Sequence, residues 1–245
     1  MPTAPVQKKR HGPALFQTGF LLASLLVLAS LAIATPDFDL MAKLAGQRFG
    51  MEGRRSILEW RQFLNETSEI SEEARLRAVN DFVNLAVTFD TDAAIWGTPD
   101  YWATPLETMG RGRGDCEDFT IAKYVSLKLL GVAGEKLRLT YVKARIGGMN
   151  GRITQAHMVL SYYSTPTSEP LILDNLIGDI YPASQRTDLY PVFSFSSENL
   201  WVGANALPAA NATARLSRWR DVLNRMRAEG LNTLFESKRN AAQTN

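Results

Sequence analysis

One cysteine occurs in the 245 residues, Cys116, and it lies in the run Gly112-Arg113-Gly114-Asp115-Cys116-Glu117-Asp118-Phe119. Flexible glycines lead into an apolar, helix-like segment whose first residue is the thiol. A helix N-terminus offers unpaired N–H groups and a partial positive charge. Both favour thiolate over thiol, and the thiolate is the nucleophile. The same N–H groups can hold the oxyanion that forms when a carbonyl is attacked. Asp115, Glu117 and Asp118 oppose this, because their charge raises the thiol pKa. Either a protonated histidine or a bound cation has to offset them.

The chain has two histidines. His11 lies in the basic N-terminal segment, which leaves His157 for chemistry. His157 falls in an expected strand over residues 153–163 and Asp174 in one over 171–176. In an antiparallel hairpin closed by residues 164–169 the two are opposite or diagonal neighbours, with Cβ atoms roughly 5–8 Å apart. Asp174 can then orient the imidazole, as the third member of a triad does. A register slip of one residue would separate them onto opposite faces. For the cation, three carboxylates in four residues are hard oxygen ligands of the kind Ca²⁺ takes. Their spacing is not that of an EF-hand loop, and helix capping by Asp115 with ordinary first-turn acids accounts for the same residues. Each group also has a bland role: Cys116 as a packed small side chain, His157 as a structural strand residue, Asp174 as the start of a turn with Asn175. The conjunction, in the order Cys, His, Asp, is the papain-like and transglutaminase-like arrangement.

The elements that must position these groups follow from periodicity. Residues 38–66 read as two short helices joined near residues 50–53. Ser71 caps a firmer helix carrying Val79, Phe82, Val83 and Leu85 at helical spacing. Residues 90–114, rich in turn formers and aromatics, read as a long structured loop in which Trp102 either walls the cleft or packs on a helix. Residues 116–130 form a largely buried helix between Asp115 at the N-cap and Gly131 at its C-terminal end. Strands are expected at 137–146, 153–163 and 171–176, and irregular chain over 181–207. A final helix, 213–238, carries Leu216, Trp219, Val222, Leu223 and Met226 on one side. Helices followed by an antiparallel sheet make an α+β fold, with N-terminal helices packed on the sheet.

Lys8, Lys9 and Arg10, the apolar stretch 20–34 and the closing Ala32-Ile33-Ala34 have the layout of an export signal. The stretch is short for a membrane span, which needs about 20 apolar residues. Cleavage after residue 34 and a retained inner-membrane anchor are both compatible with it. The formal net charge of +2 (27 basic, 25 acidic residues) owes three basic residues and no acid to this segment. The rest of the chain is close to neutral, so no nucleic-acid partner is expected. A lone thiol forms no internal disulfide in an oxidising compartment, which leaves it packed or reactive.

The run from Trp102 through Cys116 to Phe119, with Ile121-Ala122-Lys123-Tyr124, Ala156-His157-Met158-Val159-Leu160 and Leu173-Asp174-Asn175, resembles the bacterial transglutaminase-like cysteine proteases of the LapG type. The resemblance covers roughly residues 50–205. It implies a papain-like/transglutaminase-like cysteine protease core over residues 35–210, a signal peptide over 1–34, and a C-terminal helical extension, 211–245, without assigned role. It implies Cys116 as nucleophile, His157 as general base and Asp174 as its orienter, with Ca²⁺ held by Asp115, Glu117 and Asp118. It further implies a periplasmic enzyme that cleaves the N-terminal region of a large surface adhesin, near a di-alanine site, and so releases biofilm cells. An inner-membrane cyclic-di-GMP receptor would sequester it. An acyl-transferring transglutaminase and a non-catalytic binding module are the rival expectations.

Overall fold

The computed structural model describes Met1, Thr3 and residues 36–147, 151–197, 199–202, 209–210 and 216–235. The chain divides into two compact units, Met1–Ile33 and Ala34–Asn245. The expected export signal lies outside the described residues apart from Met1 and Thr3, and the described helices and strands all belong to the second unit. Among the described residues no helix is long and apolar enough to cross a membrane.

Helix α1 (Phe38–Thr67) starts at Asp37, whose carboxylate accepts from Leu40 N at 2.8 Å. It breaks at Gly50, where φ is 77°, so two helices are joined where the sequence suggested. Helix α2 (Glu72–Ala86) is capped by Ser71, whose Oγ accepts from Ala74 N at 3.3 Å. Residues 90–114 are more regular than the expected loop. After β1 (Thr88–Phe89) come α3 (Asp92–Trp96), α4 (Pro105–Arg111) and β2 (Arg113–Gly114), with β1 and β2 parallel. The missed signal was Thr104-Pro105-Leu106-Glu107, a capping box with proline in the first turn. Helix α5 (Cys116–Leu129) comes next, with Asp115 at the N-cap; Gly131, at φ 83°, lies just beyond its end.

Strands β3 (Leu137–Ile146), β4 (Ile153–Tyr162), β5 (Leu171–Leu173), β6 (Tyr181–Pro182), β7 (Leu189–Phe195), β8 (Asn199–Val202) and β9 (Ala209–Ala210) form one sheet in the order β6-β5-β4-β3-β7-β8-β9. Its pairings are antiparallel. This confirms the α+β fold class and, at β6, β7 and β8, corrects the reading of 181–207 as irregular; residues 198 and 203–207 of that stretch lie outside the described residues. Pro191 hid β7: it is tolerated because the register against β3 shifts between Tyr141 and Val142, the kind of bulge that admits a proline. The last helix, α6 (Ser217–Ala228), is shorter than expected; residues 213–215 and 236–238 lie outside the described residues. It stops because Gly230 turns the chain at φ 102° and its carbonyl takes the Asp37 N–H at 3.0 Å. Trp219, Val222, Leu223 and Met226 are buried in the same core as α1, α2, α5 and the sheet.

α1 and α4 cross closely, and this crossing steers the chain into β2 and Cys116. A Cβ added at Gly53 would stand 2.8 Å from the Gly110 carbonyl oxygen and 2.7 Å from Phe49 Cβ. Backbone cannot yield as a side chain can, so Gly53→Ala is expected to destabilise the fold by about 1–3 kcal/mol, against the helix preference for alanine. Urea unfolding checks this; an unchanged or higher midpoint would contradict the close crossing.

Candidate active site

Cys116 is half-buried at the first turn of α5. The helix is fixed there by Thr120, whose hydroxyl donates to either the Cys116 carbonyl (2.8 Å) or the Met158 carbonyl of β4 (3.0 Å). Gly114 is required by proximity: a Cβ there would fall 2.7 Å from Asp118 Cβ and 2.9 Å from Asp118 Oδ2. That carboxylate accepts from Ala103 N (2.7 Å) and from Asp115 N (3.3 Å), tying the segment before α4 to the helix start.

The hairpin delivers the other two groups. The register pairs Leu160 with Leu173, which makes His157 and Asp174 diagonal neighbours, as the loop length predicted. β5 ends at Leu173, so Asp174 lies one residue past the observed strand. Two asparagines of α2 hold this turn: Asn84 Nδ2 donates to the Asp174 carbonyl (2.9 Å) and Asn80 Nδ2 to the Gly178 carbonyl (2.6 Å). His157 and Asp174 are each 2 % exposed, and His157 Nε2 lies 2.8 Å from Asp174 Oδ1. Asp174 Oδ1 also accepts from Leu176 N (3.1 Å), and Oδ2 from Arg186 Nη2 (2.7 Å). Burial alone would raise the Asp174 carboxyl. The hydrogen bond and charge of His157, the Leu176 amide and Arg186 outweigh burial and hold it at about 2.

Cys116 and His157 line one cleft of about 840 Å³, with Trp102, Tyr141, Phe89 and Leu176 among its walls. Trp102 walls the cleft, as one of the two expectations had it, and its ring stacks on Phe195 of β7 at 5.8 Å, on the sheet rather than on a helix. Among the described residues no hydrogen bond joins the thiol to the imidazole. Sγ instead donates to Glu117 Oε2 at 2.9 Å. Burial, then the charge of Glu117 and its hydrogen bond, then Asp115, push the thiol well above its ordinary value, and the Met158 N–H only partly opposes them.

The acids around the thiol are more numerous than the sequence indicated. Ligand atoms of Asp92, Asp115 and Asp118 lie within 4.8 Å of one another, and so do those of Asp92, Asp100 and Glu117 and those of Asp115, Cys116 and Glu117. Asp92 Oδ1 and Asp115 Oδ1 are buried without a hydrogen-bond partner. Burial and then the charge and hydrogen bond of Glu117 push Asp115 up to about 10. Burial raises Asp118 well above the carboxylate range, and Asp92 also rises. Buried acids crowded this way need a cation or protons. Asp92 and Asp100, like Arg186, were missed because they lie far from Cys116 in sequence and share no ligand spacing with it.

The sequence model of the bacterial transglutaminase-like cysteine proteinases matches residues 59–205. Among solved structures, the chain resembles Legionella pneumophila LapG. For the EGTA-treated form identity is 36 % over 79 % of this chain and 99 % of that one, with a TM-score of 0.67. For the calcium-bound form identity is 37 % over 77 % and 98 %, with a TM-score of 0.65. No curated protein sequence matches.

Proposed function

The chain belongs to the bacterial transglutaminase-like cysteine proteinase family, and from that premise we propose a calcium-linked cysteine endopeptidase with Cys116 as nucleophile, His157 as general base and Asp174 as its orienter. The observation that carries this reading is the buried His157–Asp174 hydrogen bond of 2.8 Å in the cleft that Cys116 also lines. With Nε2 held by Asp174, Nδ1 is the ring nitrogen left to take the thiol proton. Sγ must first leave Glu117 Oε2. That is a rotation about one side-chain bond, and catalytic hydrogen bonds often tighten only once substrate binds. The thiolate then adds to the peptide carbonyl, and N–H groups at the start of α5 stabilise the oxyanion. His157 returns its proton to the leaving amine. It then deprotonates the water that releases the acyl group.

The donor set fits a calcium ion. Asp115, Glu117 and Asp118 would hold it together with Asp92 and Asp100, the Asp118 carboxylate also accepting from the Ala103 and Asp115 N–H groups. The orphaned oxygens of Asp92 and Asp115 support this fit, as does the calcium-bound form of Legionella LapG. Bound there, the cation would supply positive charge that offsets the acidic ring and favours thiolate.

By family resemblance, the substrate is the N-terminal region of a large surface adhesin, the compartment is the periplasm, and a cyclic-di-GMP receptor of the inner membrane restrains the enzyme. Cleavage would then promote biofilm dispersal. The test is incubation of the calcium-supplied protein with such an adhesin region and a labelled amine, read by mass spectrometry. Two hydrolytic fragments without label are expected. Label incorporated in an uncut substrate would overturn the protease reading in favour of acyl transfer.

A further inference from the structure

Asp174 is gripped from two sides. His157 and the Leu176 amide occupy Oδ1, and Arg186 Nη2 reaches Oδ2 at 2.7 Å. Arg186 lies just after the short 3-10 turn Ala183–Gln185 and is 3 % exposed. Its fork is fixed in turn by Asp188, with Nε on Oδ1 at 3.0 Å and Nη2 on Oδ2 at 2.8 Å. A buried guanidinium between two carboxylates is weak evidence for added stability, since desolvation offsets much of the attraction. It does fix the plane of a carboxylate, and this one touches the imidazole.

We propose that Arg186, held by Asp188, is a positioning residue of the hydrolytic reaction: it locks the Asp174 carboxylate so that Oδ1 stays on His157 Nε2 and Nδ1 is presented to the cleft. The inference rests on the triad reading and deepens it. Among the described residues, a further charged group near Asp174 is Lys123 of α5, which is 1 % exposed and also faces Asp81. Burial pushes Lys123 down to about 7, so it is a poor substitute for an always-charged guanidinium. Without Arg186, burial acts on Asp174 with one fewer opposing contact, and its carboxyl moves up from about 2.

The test is the pH dependence of kcat and KM, from about pH 5 to 9, for Arg186→Gln, Arg186→Lys, Asp188→Asn and His157→Ala, with melting temperatures for each. Arg186→Gln is expected to lower kcat roughly 10–100-fold with KM nearly unchanged, the size of effect that small misplacements produce. Its acid limb should move toward neutral pH. Arg186→Lys should recover part of the loss, and Asp188→Asn should show a smaller change of the same sign. Should Arg186→Gln fail to fold, the other two carry the test. Parent-like kcat and acid limbs in folded Arg186→Lys and Asp188→Asn overturn the inference. If His157→Ala cleaves normally, the triad reading falls and this proposal with it. Loss of activity in His157→Ala beside unchanged Arg186 variants sinks the positioning role alone.

Discussion

Replacing Cys116 by alanine is expected to lower peptide-bond cleavage by about 10⁴- to 10⁶-fold, as removing a nucleophile does elsewhere, while the protein stays folded. The two halves of this expectation have separate causes. The reaction has no second thiol to fall back on, because Cys116 is the sole cysteine. The fold does not depend on the sulfur: the hydrogen bonds that fix the start of α5 use the Cys116 carbonyl and the Asp118 carboxylate. Removing Sγ also removes a half-buried thiol facing Glu117, so a stability change within about 1 kcal/mol is expected. Cleavage kinetics and urea unfolding check the two halves. Retained cleavage would show that another group attacks the substrate.

The second large effect is that of a chelator. Removing calcium is expected to abolish cleavage and to lower the melting temperature. Refilling the site at about 100 times its dissociation constant should restore about 2.7 kcal/mol of stability. The acids supply a sharper test because the sign of the effect reverses. Asp92 and Asp115 each bury an unpaired oxygen, and burial pushes both carboxyls up. In chelator, Asp92→Asn or Asp115→Asn removes a buried acid from a crowded site and should raise the melting temperature. With calcium present, the same changes should remove most of the calcium-induced gain. Calorimetry with and without calcium reads both. Variants that keep the full calcium-induced shift would remove these residues from the ligand set.

The pH dependence of Asp174 has a definite sign. Its folded value lies below the ordinary carboxylate range, at about 2. The stability it contributes is therefore present above about pH 4, its unfolded value, and is lost as pH falls toward 2.

The His–Asp contact was readable because it depends on a hairpin. Period-two strands and the turn length fix which residues face each other, and an error in where β5 ends left that pairing intact. The start of α5 was equally readable, since capping and apolar spacing are local. The rest is not local. Asp92 reaches the acidic ring because α3 and β1–β2 fold the 90–114 segment back on α5. Arg186 reaches Asp174 because β6 and the 3-10 turn carry it across the end of β5. Short elements of two to five residues leave little periodicity to read, and Pro191 disguised a strand that only its bulged register explains. The thiol's hydrogen bond to Glu117 is a matter of side-chain rotation, which no spacing encodes.

In the proposed mechanism His157 activates Cys116, the sole thiol of the chain. The most direct measurement of that claim is the rate at which iodoacetamide alkylates Cys116 at pH 7 in the calcium-supplied protein, compared with folded His157→Ala. Loss of the imidazole is expected to slow alkylation about tenfold or more, one pKa unit of thiolate stabilisation by a neighbouring opposite charge being the lower bound. Equal rates in the two proteins would contradict the claim.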